Sequence, residues 1–364
     1  MIRIEPRESP SRRLTIGIPV ASALLALLLA VIPLSFAGAN IGEAYQQMAK
    51  GIFGSLFAFT EMLTRATPLI FTGLAATLAF RAKLWNIGAE GQLYLGAMAA
   101  VAVGTGWLDG PPILLIPVIL IAGALAGALG MAGPAYLKTR FGADEVVTTL
   151  LLNFIILIFI QMMLEGPLKD PMGMGWPQSS PVVDNALLPQ ILPRMRLHYG
   201  LVIALVAAVV AHIMLSKSVW GLKLRAVGEN ASAALHAGIG VKRTLMSAAL
   251  ISGALAGLAG VSEVAGLRGY LTTDLSPGYG YTGIVVAMLA GLSPLGVVIA
   301  ALFIASVFVG ADSMSRAIGV SSYLADLVVS MALICVLIGG FIARFTIKIN
   351  PVNKQQSTPD TGAR

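Results

Sequence analysis

Residues 275–311 contain no Asp, Glu, Lys or Arg. A helix crossing the hydrocarbon core of a bilayer needs ~20 apolar residues. This stretch is nearly twice that long, so it reads as two segments turning at Gly291-Leu292-Ser293-Pro294. Further apolar runs occupy 14–41, 51–80, 87–107, 113–137, 146–164, 199–215, 244–262 and 327–343. Only 11% of the chain is charged and 57% is hydrophobic. A soluble domain carries about a quarter of its residues as charges. The missing polar coat means that much of the surface faces lipid. The expected fold is therefore an all-α polytopic membrane protein with about ten transmembrane segments.

The net charge of +7 does not point to nucleic acid, because the bases sit in short inter-helix loops and at the termini. That distribution is the signal for membrane orientation. It assigns the N-terminal arm (1–13), Arg81 and Lys83, Lys138 and Arg140, the 216–243 loop, and the 344–364 tail to the cytoplasm. Both termini are then cytoplasmic, and the proline-rich 165–198 loop becomes an external cap. The 14–343 region is the membrane domain. Ala37-Gly38-Ala39 resembles a signal-peptidase site. The run before it exceeds a signal core and many spans follow, so the first helix is expected to remain uncleaved.

After the first helix, two groups of four segments enter the membrane from opposite sides, the pattern of an inverted repeat. The similarity of Thr72-Gly73-Leu74 to Thr282-Gly283-Ile284 is nearly all the sequence support for it. The two GALAG strings, starting at Gly123 and Gly253, do not occupy equivalent places in that scheme. Glycine at every fourth residue bares one helix stripe, so these strings are expected to be close-packing faces.

Several chemistries are missing. There is no G-x-x-x-x-G-K-[ST] phosphate loop and no G-x-S-x-G nucleophile, and His198, His212 and His236 lack metal-ligand spacing. Cys335 can form no internal disulfide. The chain does not read as an enzyme or a metalloprotein, so any ATP and Mg would be used by a separate subunit. The most informative polar group is Asn86, Glu90 and Gln92, which open a hydrophobic segment. Polar side chains at membrane depth pair internally or line a wet cavity. One reading places them beside a translocation path, together with Asn153 on a later span. The other makes them a polar clasp tying helix ends together, and spacing alone favours the clasp.

The stretch TPLIFTGLAATLAFRAKLWNIGAEGQLYLGA, residues 67–97, resembles the signature of the branched-chain amino acid, ribose and nucleoside permease family of ABC importers. Within that family it is most similar to the nucleoside (guanosine-type) and simple-sugar branch. DEVVTTLLLN (144–153), GLKLRAVGENASAALHAGI (221–239), residues 252–260 and GYTGIVVAMLAGLSPLG (280–296) agree in the same order. The resemblance implies a homodimer or heterodimer of permeases, two ATPase subunits and an extracytoplasmic substrate-binding protein, assembled in the inner membrane.

The 217–243 loop gives that implication a mechanical basis. Asn230 suits a helix N-cap, residues 231–237 favour helix, and Gly238 suits the position after its end. A basic helix of about two turns at the membrane surface could simply touch anionic lipid. Ser232-Ala233-Ala234-Leu235-His236-Ala237-Gly238 resembles the E-A-A-x-x-x-G core of importer permeases, with serine in place of glutamate and the downstream I-x-L-P portion absent. The resemblance makes this the coupling helix that docks on the ATPase, with Glu229, Asn230, Ser232, Ala233, Ala234 and Gly238 as its contact residues.

Other polar residues read as structural. Glu61 and Arg65 are four apart and can neutralise one another. Asp144 and Glu145 complement the start of a helix, while Glu263 and Asp312 fall near the outer boundary, within reach of water. The expected function is a permease subunit importing a nucleoside or related small polar solute by alternating access. A ribose-type sugar is the nearest rival cargo. An ion-coupled secondary transporter and a membrane scaffold without transport are the competing classes.

Overall fold

The computed structural model describes residues 2–6, 12–106 and 110–349. Arg7, Trp107 at the end of the third apolar run, and the tail beyond Ile349 lie outside the described residues. Thirteen α-helices carry the described chain. Helix α1 (Arg12–Phe36) is followed by α2 (Ile41–Phe53), α3 (Leu56–Arg81), α4 (Ala89–Gly104), α5 (Pro112–Phe141) and α6 (Glu145–Glu165). After a long irregular segment come α7 (Gly200–Lys217), α8 (Val219–Glu229), α9 (Ala231–His236) and α10 (Val241–Glu263). The last helices are α11 (Tyr279–Leu289), α12 (Pro294–Ile318) and α13 (Ser322–Arg344). A short antiparallel ribbon joins β1 (Ile2–Pro6) to β2 (Phe345–Ile349), with Arg3 opposite Lys348. The expectation of an all-α chain is thus modified only at the two ends, which lie side by side.

Six helices among the described residues are long and apolar enough to cross a membrane: α3, α5, α6, α7, α10 with its extension to Arg268, and α12. Helices α4 and α11 have 16 and 11 residues. At 1.5 Å per residue both fall short of a ~30 Å core. They are instead packed inside the bundle, where a short helix is covered by its neighbours. The 275–311 run divides as its turn residues suggest, with α11 ending at Leu289 and Pro294 opening α12. The start of the second apolar run belongs to α2. Asn40 caps that helix by accepting from the Gly42 and Glu43 N–H groups, and Ser55 caps α3 separately.

Helix α3 is the axis of the bundle. Of its most apolar stretch 89% is buried, against 22% for α6 and 28% for α7, which present Phe154, Ile158, Val206 and Ile213 outward. It packs against α10, α11 and α12, while α10 packs against α4 and α5. The α5–α10 contact is backbone on backbone. A Cβ on Gly257 would collide with the Gly123 carbonyl, and one on Gly127 with the Gly253 carbonyl. The two GALAG strings are therefore each other's packing partners. Thr72 and Gly283 also meet face to face, across α3 and α11.

Candidate functional site

The two ends of α3 gather different polar groups. At its C-terminal end, the turn into α4 places Asn86 against Gln92. Asn86 Nδ2 donates to Gln92 Oε1 at 2.8 Å and to Ser252 Oγ at 2.9 Å. Its Oδ1 accepts from Gln92 Nε2 and from the Gly88 N–H, both at 3.0 Å. Ser252 Oγ donates onward to the Ala75 carbonyl at 2.8 Å, so α3, α4 and α10 are joined. Asn153 on α6 accepts from the Gly91 N–H at 2.9 Å and donates to the Ile87 carbonyl at 2.9 Å and the Tyr281 hydroxyl at 3.2 Å. Glu90 accepts from the Gly280 N–H at the start of α11, at 2.6 Å. All four of these side chains are at most 4% exposed. A buried amide whose donors and acceptors are all used contributes by avoiding the penalty of an unpaired polar group.

The same end carries the α8–α9 segment. Gly228 lies against the α3–α4 turn so closely that a Cβ there would run into the Arg81 carbonyl. Lys83 Nζ donates to the Glu229 carbonyl at 3.4 Å. Asn230 Oδ1 accepts from the Ala233 N–H at 3.0 Å, and Gly238 adopts φ +80° after the last turn, so α9 is capped at both ends. Ala234 is buried. Glu229, Asn230 and Ala233 are exposed, and the exposed Ser232, Leu235 and Gly238 line a groove of about 760 Å³ together with Lys223 and Lys242. The α5–α6 turn joins this end as well, through the Lys138–Glu145 ion pair and the Trp85 N–H donating to Glu145 Oε1 at 3.2 Å. Glu145 is thus more than a helix-start residue, because it holds two turns together.

At the other end of α3, Arg65 pairs with Asp312 of α12 at 2.8 Å, and Glu61 faces Arg196 of the 165–198 segment at 3.6 Å. Glu61 and Arg65 each find a partner from a distant element rather than one another. Glu263 is 2% exposed, so it does not reach water as its position in the sequence suggested. The 165–198 segment closes over this end by backbone bonds. The Val182 N–H donates to Gly269, the Leu188 N–H to Ala265 (both at 2.7 Å), and the Val183 N–H to Gly104 at 2.8 Å. His198 is buried against Gly200 and Gly266, with Nδ1 accepting from the Gly200 N–H at 3.1 Å. Burial pushes its pKa down to about 4. Spacing in the sequence linked only Glu61 to Arg65, because the members of this cluster come from four separated segments.

Residues 58–337 match the family described as branched-chain amino acid transport system / permease component. The chain is 37% identical to a guanosine ABC transporter permease of Bacillus subtilis, over 88% of this chain and 92% of that protein. It is 34% identical to a glucose ABC transporter permease of Haloferax volcanii, over 96% of this chain and 94% of the relative. A nucleoside ABC transporter permease of Lactococcus lactis is 32% identical, over 82% and 84% of the two chains. No solved structure matches the chain.

Proposed function

Because the chain belongs to the branched-chain amino acid transport system permease family, we propose that it is the membrane subunit of an ATP-driven importer whose cargo is a nucleoside. The observation that carries the cargo class is the likeness to the guanosine permease, which runs through nearly the whole of both chains. The likeness to the glucose permease is as extensive and supports a simple sugar as the second reading. The partners are a second permease, a pair of ATPase subunits that use ATP and Mg, and an extracytoplasmic binding protein that delivers cargo. The complex sits in the cytoplasmic membrane with both termini inside.

The α9 helix is the docking element for the ATPase. Its capped ends hold it rigid, Leu235 is 62% exposed as an apolar anchor, and the lysines beside it complement acidic groups on a partner. Glu229, Asn230, Ser232, Ala233, Ala234 and Gly238 carry this contact or hold its shape. Force applied there reaches α3 directly, because Gly228 and Glu229 rest on the turn after Arg81. Asn86, Glu90, Gln92 and Asn153 then stand behind the wall of the path at this end, as a clasp. They keep α4, α6, α10 and α11 in register so that α3 moves with them.

The helix contacts support an inverted four-plus-four repeat. Exchanging α3 with α10, α4 with α11, α5 with α12 and α6 with α13 turns the α3–α11 and α3–α12 contacts into α10–α4 and α10–α5 contacts. Such a repeat supplies two nearly equivalent packings, inward-open and outward-open.

The test is ATP-driven uptake of tritiated guanosine into proteoliposomes holding the permease with its ATPase and binding protein. Wild type should accumulate guanosine, whereas deletion of residues 230–238 should abolish uptake and leave the permease folded. Uptake that survives the deletion, or that proceeds without the ATPase, would refute the coupling assignment. Accumulation of glucose but not guanosine would transfer the cargo to the sugar class.

A further inference from the structure

Glu263 ends α10 at the point where the helix loosens into a π-turn, Val264–Arg268. Such turns break the regular ladder and occur frequently at functional sites. Glu263 Oε1 is buried and has no hydrogen-bond partner, and the same is true of Glu61 Oε2 on α3. Both carboxylates lie within electrostatic range of Arg65, as do Asp312 and Tyr279. Arg268 lies within range of Glu263 but bonds to Asp274 instead, at 2.9 Å through the Asp274 carbonyl. The cluster thus holds carboxylate oxygens with lone pairs unused, in a place where water is scarce.

An ionised carboxylate without donors is one of the most expensive groups a membrane protein can bury. The contrast with the other end of α3, where each buried amide is saturated, shows that this fold can satisfy its polar groups. Donors supplied by a passing solute would complete these oxygens. Arg65, Arg196 and Arg268 are paired with Asp312, Glu61 and Asp274, which leaves these arginines without spare charge for an anionic solute. A neutral molecule carrying neighbouring hydroxyls fits the chemistry, because each hydroxyl donates to a carboxylate oxygen and accepts from a guanidinium. Access is from the 165–198 side, since Arg65 and Asp312 are 27% and 30% exposed while the α3 residues beyond them are closed.

We propose that Glu61, Arg65, Glu263 and Asp312 form a solute-contacting site at the outer end of the path, taking the paired hydroxyls of a neutral sugar-like ring. The proposal rests on the permease reading above. Glu61 and Glu263 accept hydrogen bonds from the solute hydroxyls, while Arg65 gives up its bond to Asp312 and donates to a solute oxygen. Because Arg65 and Asp312 sit on α3 and α12, opening that bridge frees the two helices to part. The α8 contact at the far end of α3 couples that parting to the ATPase.

The experiment uses the full complex in proteoliposomes with tritiated guanosine and its 2′,3′-dideoxy analogue, both delivered by the same binding protein. Glu263→Gln should lower guanosine uptake about ten-fold, the loss of one solute hydrogen bond, without lowering the melting temperature in detergent. ATP hydrolysis should persist. The ratio of guanosine to dideoxyguanosine uptake should fall, and because the binding protein is unchanged that fall belongs to the permease. Glu61→Gln is the second variant and should shift the ratio in the same direction. The charge exchange Arg65→Asp with Asp312→Arg restores an ion pair but not the donor's place, so uptake should stay low. Unchanged uptake ratios in both glutamine variants, or full rescue by the exchange, would reduce the cluster to a structural ion-pair network. If the wild-type complex fails to accumulate guanosine with ATP, the parent reading falls and takes this one with it.

Discussion

Helix α3 joins two polar clusters built on opposite rules. Around Asn86, amides and a hydroxyl consume one another, and their neighbours are tied down by the backbone groups of the α3–α4 turn. Around Arg65 the groups are charged and drawn from α3, α10, α12 and the covering segment, and two carboxylate oxygens have no donor. A saturated cluster has one arrangement that is much better than the rest, so it makes a rigid joint. An unsaturated charged cluster has several arrangements of similar energy, so it can exchange partners. One helix therefore carries a fixed end, against which α8 rests, and an adaptable end, which the 165–198 segment covers.

The comparison breaks most decisively at the fixed end. Asn86→Ala should strand Gln92 and Ser252 and cost about 3 kcal/mol, with melting temperature and uptake falling together. Retained stability in that variant would contradict the rigid-joint account. Gly228→Ala should lose about 2 kcal/mol by overpacking against the Arg81 carbonyl. It should also uncouple ATP hydrolysis from uptake, which parallel assays of phosphate release and guanosine accumulation would reveal.

The lid over the adaptable end is tested by pH. His198 has a pKa of about 4 in the folded protein, below the ordinary value of 6.5. Between those values the unfolded chain binds the proton and the folded one does not, so stability should fall as pH drops from 6.5 towards 4. The slope is about 1 kcal/mol per pH unit. Thermal unfolding in detergent across that window should show the decline, and His198→Asn should flatten it. The smallest effect is expected from Arg196→Gln. Its guanidinium is 62% exposed and 3.6 Å from Glu61, so the change should cost no more than about 0.5 kcal/mol. A larger loss would mean that the lid depends on this pair more than its exposure suggests.

Much of the architecture was legible before any packing was considered. Charge-free runs and turn residues placed most helices, down to the break before Pro294. The α9 helix was visible in its cap residues, because a capping side chain acts on N–H groups two or three positions away. Helices α2 and α8 were missed, since both fall in polar stretches between apolar runs, which read as loops. Asn40 followed by Glu43, and Ser55 before Leu56, were the available signals for α2 and its separation from α3. The Asn86 clasp was half legible: its residues stood out as polar groups opening a span, but their partner Ser252 lies on α10.

The sequence by itself determined that this chain lives in a bilayer, that its basic turns are suited to one face, and which glycine stripes pack. Each of these follows from local composition or from spacing along one helix, where a few residues settle the free energy. Only the tertiary structure decided that the two GALAG strings meet each other, that Glu61 and Arg65 part to different partners, and that Glu263 is shut away from water. Those outcomes depend on which helices become neighbours, and the partners are separated by more than a hundred residues in several cases. The energy of a buried charge is set by the groups around it in space, and a single helix face does not specify them.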